Sequence, residues 1–99
     1  MSKSYIISNK AKNDLIEIWS WTNENFSEEQ ADTYYFKMLD KISQLTFELD
    51  RAIAFEQEIY KYNFIRFKSH YIFYIHNSVE KIKIVRILHQ NRNFTKFLK

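Results

Sequence analysis

The first half of the chain carries hydrophobic residues at helical spacing in two consecutive stretches. Between residues 10 and 25 they fall on one face when successive residues turn by about 100°, which predicts an amphipathic helix. Between residues 28 and 49 they alternate steps of four and three, the seam of an antiparallel helix pair. The two sets are Ala11, Leu15, Ile18, Trp19, Thr22 and Phe26, and Ala31, Tyr35, Met38, Ile42, Leu45 and Leu49. The short link between the stretches predicts an αα-hairpin.

Polar residues at the predicted helix starts are typical of helix caps. Ser27 is followed three residues later by Gln30, which makes a capping box that satisfies otherwise unpaired backbone N–H groups. Ser8 or Asn9 can cap the first helix in the same way. These caps predict where both helices begin.

The second half of the chain changes to short runs rich in Ile, Val, Tyr and Phe, residues that favour a pleated sheet. Residues 62–67, 71–77 and 81–88 are predicted strands, close enough in sequence to form an antiparallel meander. Residues 5–7 form a further strand that is too short to stand alone. We therefore expect it to pair within the same sheet.

Two segments lack a clear period. Residues 50–61 mix charged and apolar side chains, and we interpret them as an irregular loop. Residues 93–99 fit either one helical turn or a strand that folds back. The order of elements predicts a single α+β domain over residues 1–99, with the helical hairpin on one face of an antiparallel β-sheet.

Composition excludes several classes of function. Glycine, proline and cysteine are all absent, so the chain has no Gly-rich phosphate loop, nucleophile elbow, disulfide or thiolate metal site. Turns must use residues such as Asn, Asp, Ser and Lys. No apolar run suits a signal peptide or a membrane span, so we expect a cytoplasmic protein without membrane contact.

Charge is distributed unevenly between the two halves. Residues 1–50 hold five Lys or Arg against nine Asp or Glu, and residues 51–99 hold ten against three. The halves therefore carry net charges of −4 and +7, which together give the net charge of +3. A basic half of this kind suits nucleic acid, an acidic peptide or simply a solvated surface.

Cationic side chains concentrate in and around the last two predicted strands. The candidate target-binding residues are Arg66, Lys68, Arg86, His89 and Arg92. Arginine suits carboxylates and phosphates because its guanidinium forms paired hydrogen bonds, and Arg86 interrupts an apolar run. His89 suits either proton transfer or a structural hydrogen bond at a strand end. His70 and His76 lack a nearby carboxylate in sequence, so we expect neither a metal nor a cofactor.

Two large aromatic residues fall away from the helical seam. On a helical wheel Trp21 and Phe36 lie well off the apolar centres of their helices. They indicate either a protein partner or a second buried face against the sheet.

Taken in order, several short motifs resemble the ParE branch of the RelE/ParE toxins of bacterial type II toxin–antitoxin modules. The resemblance spans nearly the whole chain, and its last motif is the most specific. The motifs are Tyr5-Ile6-Ile7-Ser8, Ala11, Asp14-Leu15, Ile18-Trp19, Thr22, Glu29-Gln30-Ala31, Tyr34-Tyr35, His70, Ile72-Phe73-Tyr74 and Ile84-Val85-Arg86-Ile87-Leu88-His89. Relatives usually carry Gly or Pro near residues 48–51, 68–69 and 77–79, where this chain has neither.

The resemblance implies a toxin that inhibits DNA gyrase without bond chemistry of its own and is neutralised by a cognate antitoxin. Trp21 and Phe36 are then the candidate antitoxin contacts, and nucleic acid is met only within the target complex. One alternative is a RelE-like, ribosome-dependent mRNA endonuclease that uses Arg66, Arg86 and His89. Another is a toxin-fold module that has lost its poisoning activity.

Overall fold

The computed structural model describes residues 5–50, 56–77 and 81–98. Its elements are β1 (Tyr5–Ile7), α1 (Asn9–Asn25), α2 (Glu28–Asp50), β2 (Gln57–Ile59), β3 (Tyr62–Phe67), β4 (His70–His76), β5 (Ile82–His89) and α3 (Phe94–Leu98). The predicted hairpin and strands are present with bounds shifted by a residue or so. Of the two alternatives for the tail, the helical turn is the one formed.

The five strands form one sheet in the order β1-β5-β4-β3-β2. β2 to β5 pair antiparallel with their neighbours, whereas β1 runs parallel to β5, so the sheet is mixed. The α+β class and the pairing of the short first strand within the sheet are confirmed. β1 is parallel to β5 because the chain runs along α1 and returns along α2 before it enters the antiparallel strands.

Serine side chains cap both long helices. Ser8 Oγ accepts a hydrogen bond from Ala11 N at 3.1 Å, and Ser27 Oγ accepts one from Gln30 N at 3.1 Å. Ser8 Oγ also donates to the carbonyl oxygen of Val85 at 2.9 Å. The start of α1 is therefore fixed to the middle of β5, as well as to the end of β1.

The hairpin packs on one face of the sheet and forms the main core. Leu15, Met38, Ile42 and Leu45 are buried there against residues of β4 and β5. Phe26 was expected on the same apolar face but is 63% exposed, because it caps α1 at φ −131°, ψ −92° and leaves the helical path. On the opposite face of the sheet, α3 covers a second, smaller cluster of Phe73, Leu88 and Leu98.

The interpretation of residues 50–61 as a loop is wrong in part. Residue 50 ends α2, and Gln57–Ile59 pairs with β3 as an edge strand. The connecting turn holds Tyr60 and Lys61 at φ 54° and 73°, a conformation usually signalled by Asn-Gly, and the sequence offers no such signal. Lys68, in the next turn, has φ 52°. Residues 51–55 and 78–80 lie outside the described part of the chain.

The packing predicts a large cost for truncating the hairpin seam. Leu45 is 5% exposed within the main core, so Leu45→Ala should lower the free energy of unfolding by about 2–5 kcal/mol through the cavity it leaves. Chemical denaturation measures this change. A loss below about 0.5 kcal/mol, typical of a surface position, would place Leu45 outside the core.

The turn between β2 and β3 predicts a stabilising substitution. A left-handed conformation costs a residue with a side chain roughly 1–2 kcal/mol, and glycine removes this cost while loosening the unfolded chain. Lys61→Gly should therefore raise the free energy of unfolding by about 0.5–1 kcal/mol. Lys12→Gly in α1 is the matched control and should instead cost about 1 kcal/mol. Equal destabilisation by both substitutions would contradict the turn geometry.

Candidate functional site

An ion pair between a partly buried arginine and a buried aspartate joins α1 to β5. The guanidinium of Arg86 donates through Nε and Nη2 to the two carboxylate oxygens of Asp14, both at 2.9 Å. Asp14 Oδ2 also accepts the backbone N–H of Ile87 at 2.9 Å. These hydrogen bonds raise the pKa of Arg86, so its positive charge is retained. Arg86, predicted to bind the target, thus has a partner inside the molecule.

The sequence contains a signal for this pair that was missed. Asp14 lies on the apolar stripe of α1 between Ala11 and Leu15, and Arg86 interrupts the apolar run of β5. A charge on a buried face is costly unless an opposite charge compensates it. An acidic residue within one apolar pattern and a basic residue within another therefore predict an ion pair between the two segments.

A β-bulge in β5 sets the direction of Arg86. Tyr74 pairs with Ile84 and Phe73 pairs with Arg86, so Val85 is an extra residue in the strand. The extra residue reverses the alternation of side chains, and Ile87 takes the place in the main core that Arg86 would otherwise occupy. Arg86 instead reaches the edge of the sheet beside α1.

An open cleft of about 1050 Å³ lies between α1, the ends of β4 and β5, and α3. Trp21 is 59% exposed at one side of it, with its ring 5.9 Å from that of Phe26 in an edge-to-face contact. Its polar lining includes Lys10, His89 and Arg92 as well as the acidic Glu17. The cleft therefore combines exposed aromatic surface with side chains of both charges.

Two histidines meet at the base of this cleft. His70 and His89 pair across β4 and β5, with ring centroids 5.4 Å apart and planes perpendicular. His70 Nδ1 shares a hydrogen bond of 2.7 Å with the hydroxyl of Tyr34. Burial, with the neighbouring His89, lowers the pKa of His70 to about 4, so the ring is neutral at pH 7. His89 Nδ1 accepts the backbone N–H of Asn91 at 3.1 Å, a structural hydrogen bond at the strand end.

Beside the cleft, exposed cations line the end of the sheet formed by the β3–β4 turn, the end of β5 and α3. Arg66 is held by hydrogen bonds to the carbonyl oxygen of Lys68 at 2.8 Å and to Gln90 Oε1 at 2.6 Å. Arg92 follows β5, and its guanidinium lies 5.0 Å from the ring centre of Phe97 in α3. We call Arg66, Lys68, Arg92 and Lys96 the cationic rim. It contains three of the five predicted target-binding residues, with His89 and Arg86 immediately behind it.

The two predicted antitoxin contacts lie in different pockets. Trp21 lines the cleft, whereas Phe36 lines a separate shallow pocket with Leu15, Ile16 and Trp19. Phe36 is 61% exposed there. Both aromatics are therefore accessible, but a partner that covers one does not automatically cover the other.

The remaining histidine pairs with a carboxylate. His76 Nε2 lies 2.7 Å from Glu56 Oε2, which also accepts the hydroxyl of Tyr74 at 3.0 Å. Burial raises the pKa of Tyr74.

Within residues 5–50, 56–77 and 81–98, no three side chains of the metal-binding types are grouped, and no helix is long and apolar enough to cross a membrane.

Comparison with known proteins identifies the family. The sequence model for the ParE toxin of the type II toxin–antitoxin system parDE matches residues 5–94. The toxin ParE1 of Caulobacter vibrioides is 29% identical over 91 residues, which cover 92% of this chain and 93% of that protein. A chain of the chromosomal ParDE toxin–antitoxin system from P. aeruginosa has the same fold, with a TM-score of 0.72 and 16% identity over 86% of this chain and 92% of that one. The chain belongs to the ParE toxins of type II toxin–antitoxin systems.

Proposed function

We propose that this toxin inhibits DNA gyrase, and hence replication, by docking through the cationic rim, and that a cognate antitoxin neutralises it in the cytoplasm. The supporting observation is that Arg66, Lys68 and Arg92 converge at one end of the sheet. Among the described residues no carboxylate pairs with any of the three. Their charge is therefore available to a partner.

The proposed mechanism requires binding and no bond chemistry by the toxin. Uncompensated cations on a rigid frame steer an anionic target toward one surface and fix its orientation. Arg66 is already held by two hydrogen bonds, so little of its side-chain freedom is left to lose on binding. Arg86 supports this surface indirectly, because its guanidinium is committed to Asp14.

For the antitoxin we propose contacts at Trp21 and at Phe36. Both rings are more than half exposed and each lines a pocket, so each offers apolar surface that a partner can cover. Because they line separate pockets, the antitoxin must reach two patches of the hairpin. A flexible segment that folds onto the toxin can do so.

The endonuclease alternative assigns catalysis to Arg66, Arg86 and His89, and the contact between His70 and His89 is the observation that favours it. Histidine is the side chain best suited to move protons near neutral pH. Two features weigh against this function: the pKa of His70 is lowered to about 4, and His89 Nδ1 is occupied by the backbone of Asn91. In addition, Arg86, a member of that proposed catalytic set, is occupied by Asp14.

The gyrase proposal predicts which substitutions weaken the poisoning of gyrase. Purified toxin should make gyrase accumulate cleaved plasmid DNA, and Arg92→Gln should weaken this effect by about 5- to 30-fold, which corresponds to about 1–2 kcal/mol of lost binding. His89→Ala should leave it within about twofold, since no proton is moved. Lys12→Gln, which removes the same charge from an exposed site on α1, is the matched control.

The opposite pattern would favour the endonuclease. In a translating extract, an RNase would cut messenger RNA, and His89→Ala would slow the cutting by about 10²–10⁴-fold, the usual value of a general acid or base. Such cutting, with gyrase supercoiling unaffected at the same toxin concentration, would refute inhibition of gyrase.

The antitoxin proposal predicts that expression of the toxin stops growth and that co-expression of its antitoxin restores it. Trp21→Ala and Phe36→Ala should each weaken antitoxin binding by at least about 5-fold, as loss of an aromatic anchor does. Phe47→Ala is the control, because Phe47 is also an exposed aromatic on α2. Isothermal titration with each variant measures the effect. Affinities within twofold of the unmodified toxin for both variants would remove the hairpin aromatics from the interface.

A further inference from the structure

Cations and aromatic rings alternate at one end of the molecule. Between described residues, every cation–π contact lies at the end of the sheet that carries the cationic rim. Arg66 lies 6.0 Å from the ring centre of Tyr71, and Lys68 lies 5.7 Å from that of Tyr34. Arg92 and Lys96 lie 5.0 and 5.7 Å from the ring centre of Phe97. Charge and flat apolar surface thus occur together along the rim.

Two of the charges around Phe97 are not balanced by any carboxylate among the described residues. Arg86 also lies over this ring, at 5.2 Å, but its charge is compensated by Asp14. Arg92 and Lys96 are exposed and have no carboxylate partner among the described residues. Like charges gathered on one ring repel one another, and a bound anion would relieve the repulsion.

We propose that the cationic rim binds single-stranded DNA directly, with phosphates on Arg66, Arg92 and Lys96 and unpaired bases against Tyr71 and Phe97. Surfaces that bind single strands combine these two elements, a positive track for the backbone and rings on which bases stack. Tyr71 and Phe97 are partly exposed. Phe64 is stacked on Tyr71, with ring centroids 5.2 Å apart and planes at 10°, so only the remaining part of the Tyr71 ring is left for a base.

The same features argue against other polyanions. A duplex keeps its bases stacked inside and offers the rim only phosphates, so the rings would gain nothing. An acidic peptide would likewise pair with the cations, but it has no series of flat rings to stack on Tyr71 and Phe97. The choice of DNA rests on the proposed function, because a gyrase complex that holds cleaved DNA exposes strand ends.

The proposal is tested on the whole toxin without gyrase. Fluorescence anisotropy with a labelled oligothymidylate of about 12 nucleotides, within the range of known site sizes, gives the affinity. We expect a dissociation constant of about 10⁻⁶ to 10⁻⁴ M at physiological salt, and binding to a duplex of the same length or to polyglutamate at least about tenfold weaker.

Substitutions separate the contribution of charge from that of stacking. Each phosphate contact on a single strand adds about 0.7 to the slope of log affinity against log salt concentration, so Arg66→Gln or Lys96→Gln should lower its magnitude by about 0.7. Lys12→Gln should leave the slope unchanged. Phe97→Leu should weaken binding by about 5- to 150-fold with the slope unchanged, as loss of one base–ring stack does. Tyr71→Leu repeats this test if thermal melting shows that Phe97→Leu is unfolded.

Several results would overturn the proposal. These are duplex binding as tight as single-strand binding, tighter binding of an oligouridylate RNA than of the DNA, or an equal loss of slope for Lys12→Gln.

Failure of single-strand binding can be distinguished from failure of the gyrase proposal. Loss of gyrase poisoning with single-strand binding intact would refute only the gyrase target, and intact poisoning without single-strand binding would refute only direct DNA contact.

Discussion

One carboxylate links the helical layer to the sheet at the end of the protein that carries the candidate site. β1 pairs with β5 only as far as Ile84, and beyond that point no strand among the described residues pairs with this edge of β5. Asp14 takes over as its partner, accepting the backbone N–H of Ile87 and the guanidinium of Arg86. Three donors satisfy a carboxylate that is only 7% exposed, which offsets the cost of removing its charge from water.

The position of the candidate site follows from that contact. Because β1 stops early, α1 begins beside β5 and forms one wall of the cleft, while α3 folds back as the other. The bulge at Val85 lets Ile87 enter the core while Arg86 stays at the edge, between Asp14 and the ring of Phe97. The ion pair of Asp14 and Arg86 thus supports the cationic rim, although Arg86 itself does not belong to the rim. Loss of Asp14 is expected to disturb the cleft and the rim together.

Local patterns predicted most of the fold, since helix and strand periods, caps and the hairpin link are all encoded within a few residues. The strand at Gln57–Ile59 was missed because its turn uses Tyr60 and Lys61 in place of the usual Asn-Gly, so nothing local indicates it. The basic half of the sequence indicates which cations are candidates, but only pairing of distant segments shows that Arg66 and Gln90 meet. The separation of Trp21 from Phe36 likewise depends on how the helices pack, which a helical wheel does not reveal.

The most direct test of this account is a double-mutant cycle on the ion pair, using Asp14→Asn, Arg86→Gln and the combined variant. Each single substitution leaves one partner uncompensated and should lower the free energy of unfolding by about 3 kcal/mol. The combined variant leaves no uncompensated charge, so its loss should fall short of the sum by at least about 1 kcal/mol. Losses that add to within about 0.3 kcal/mol would show that the two side chains act independently and contradict the account.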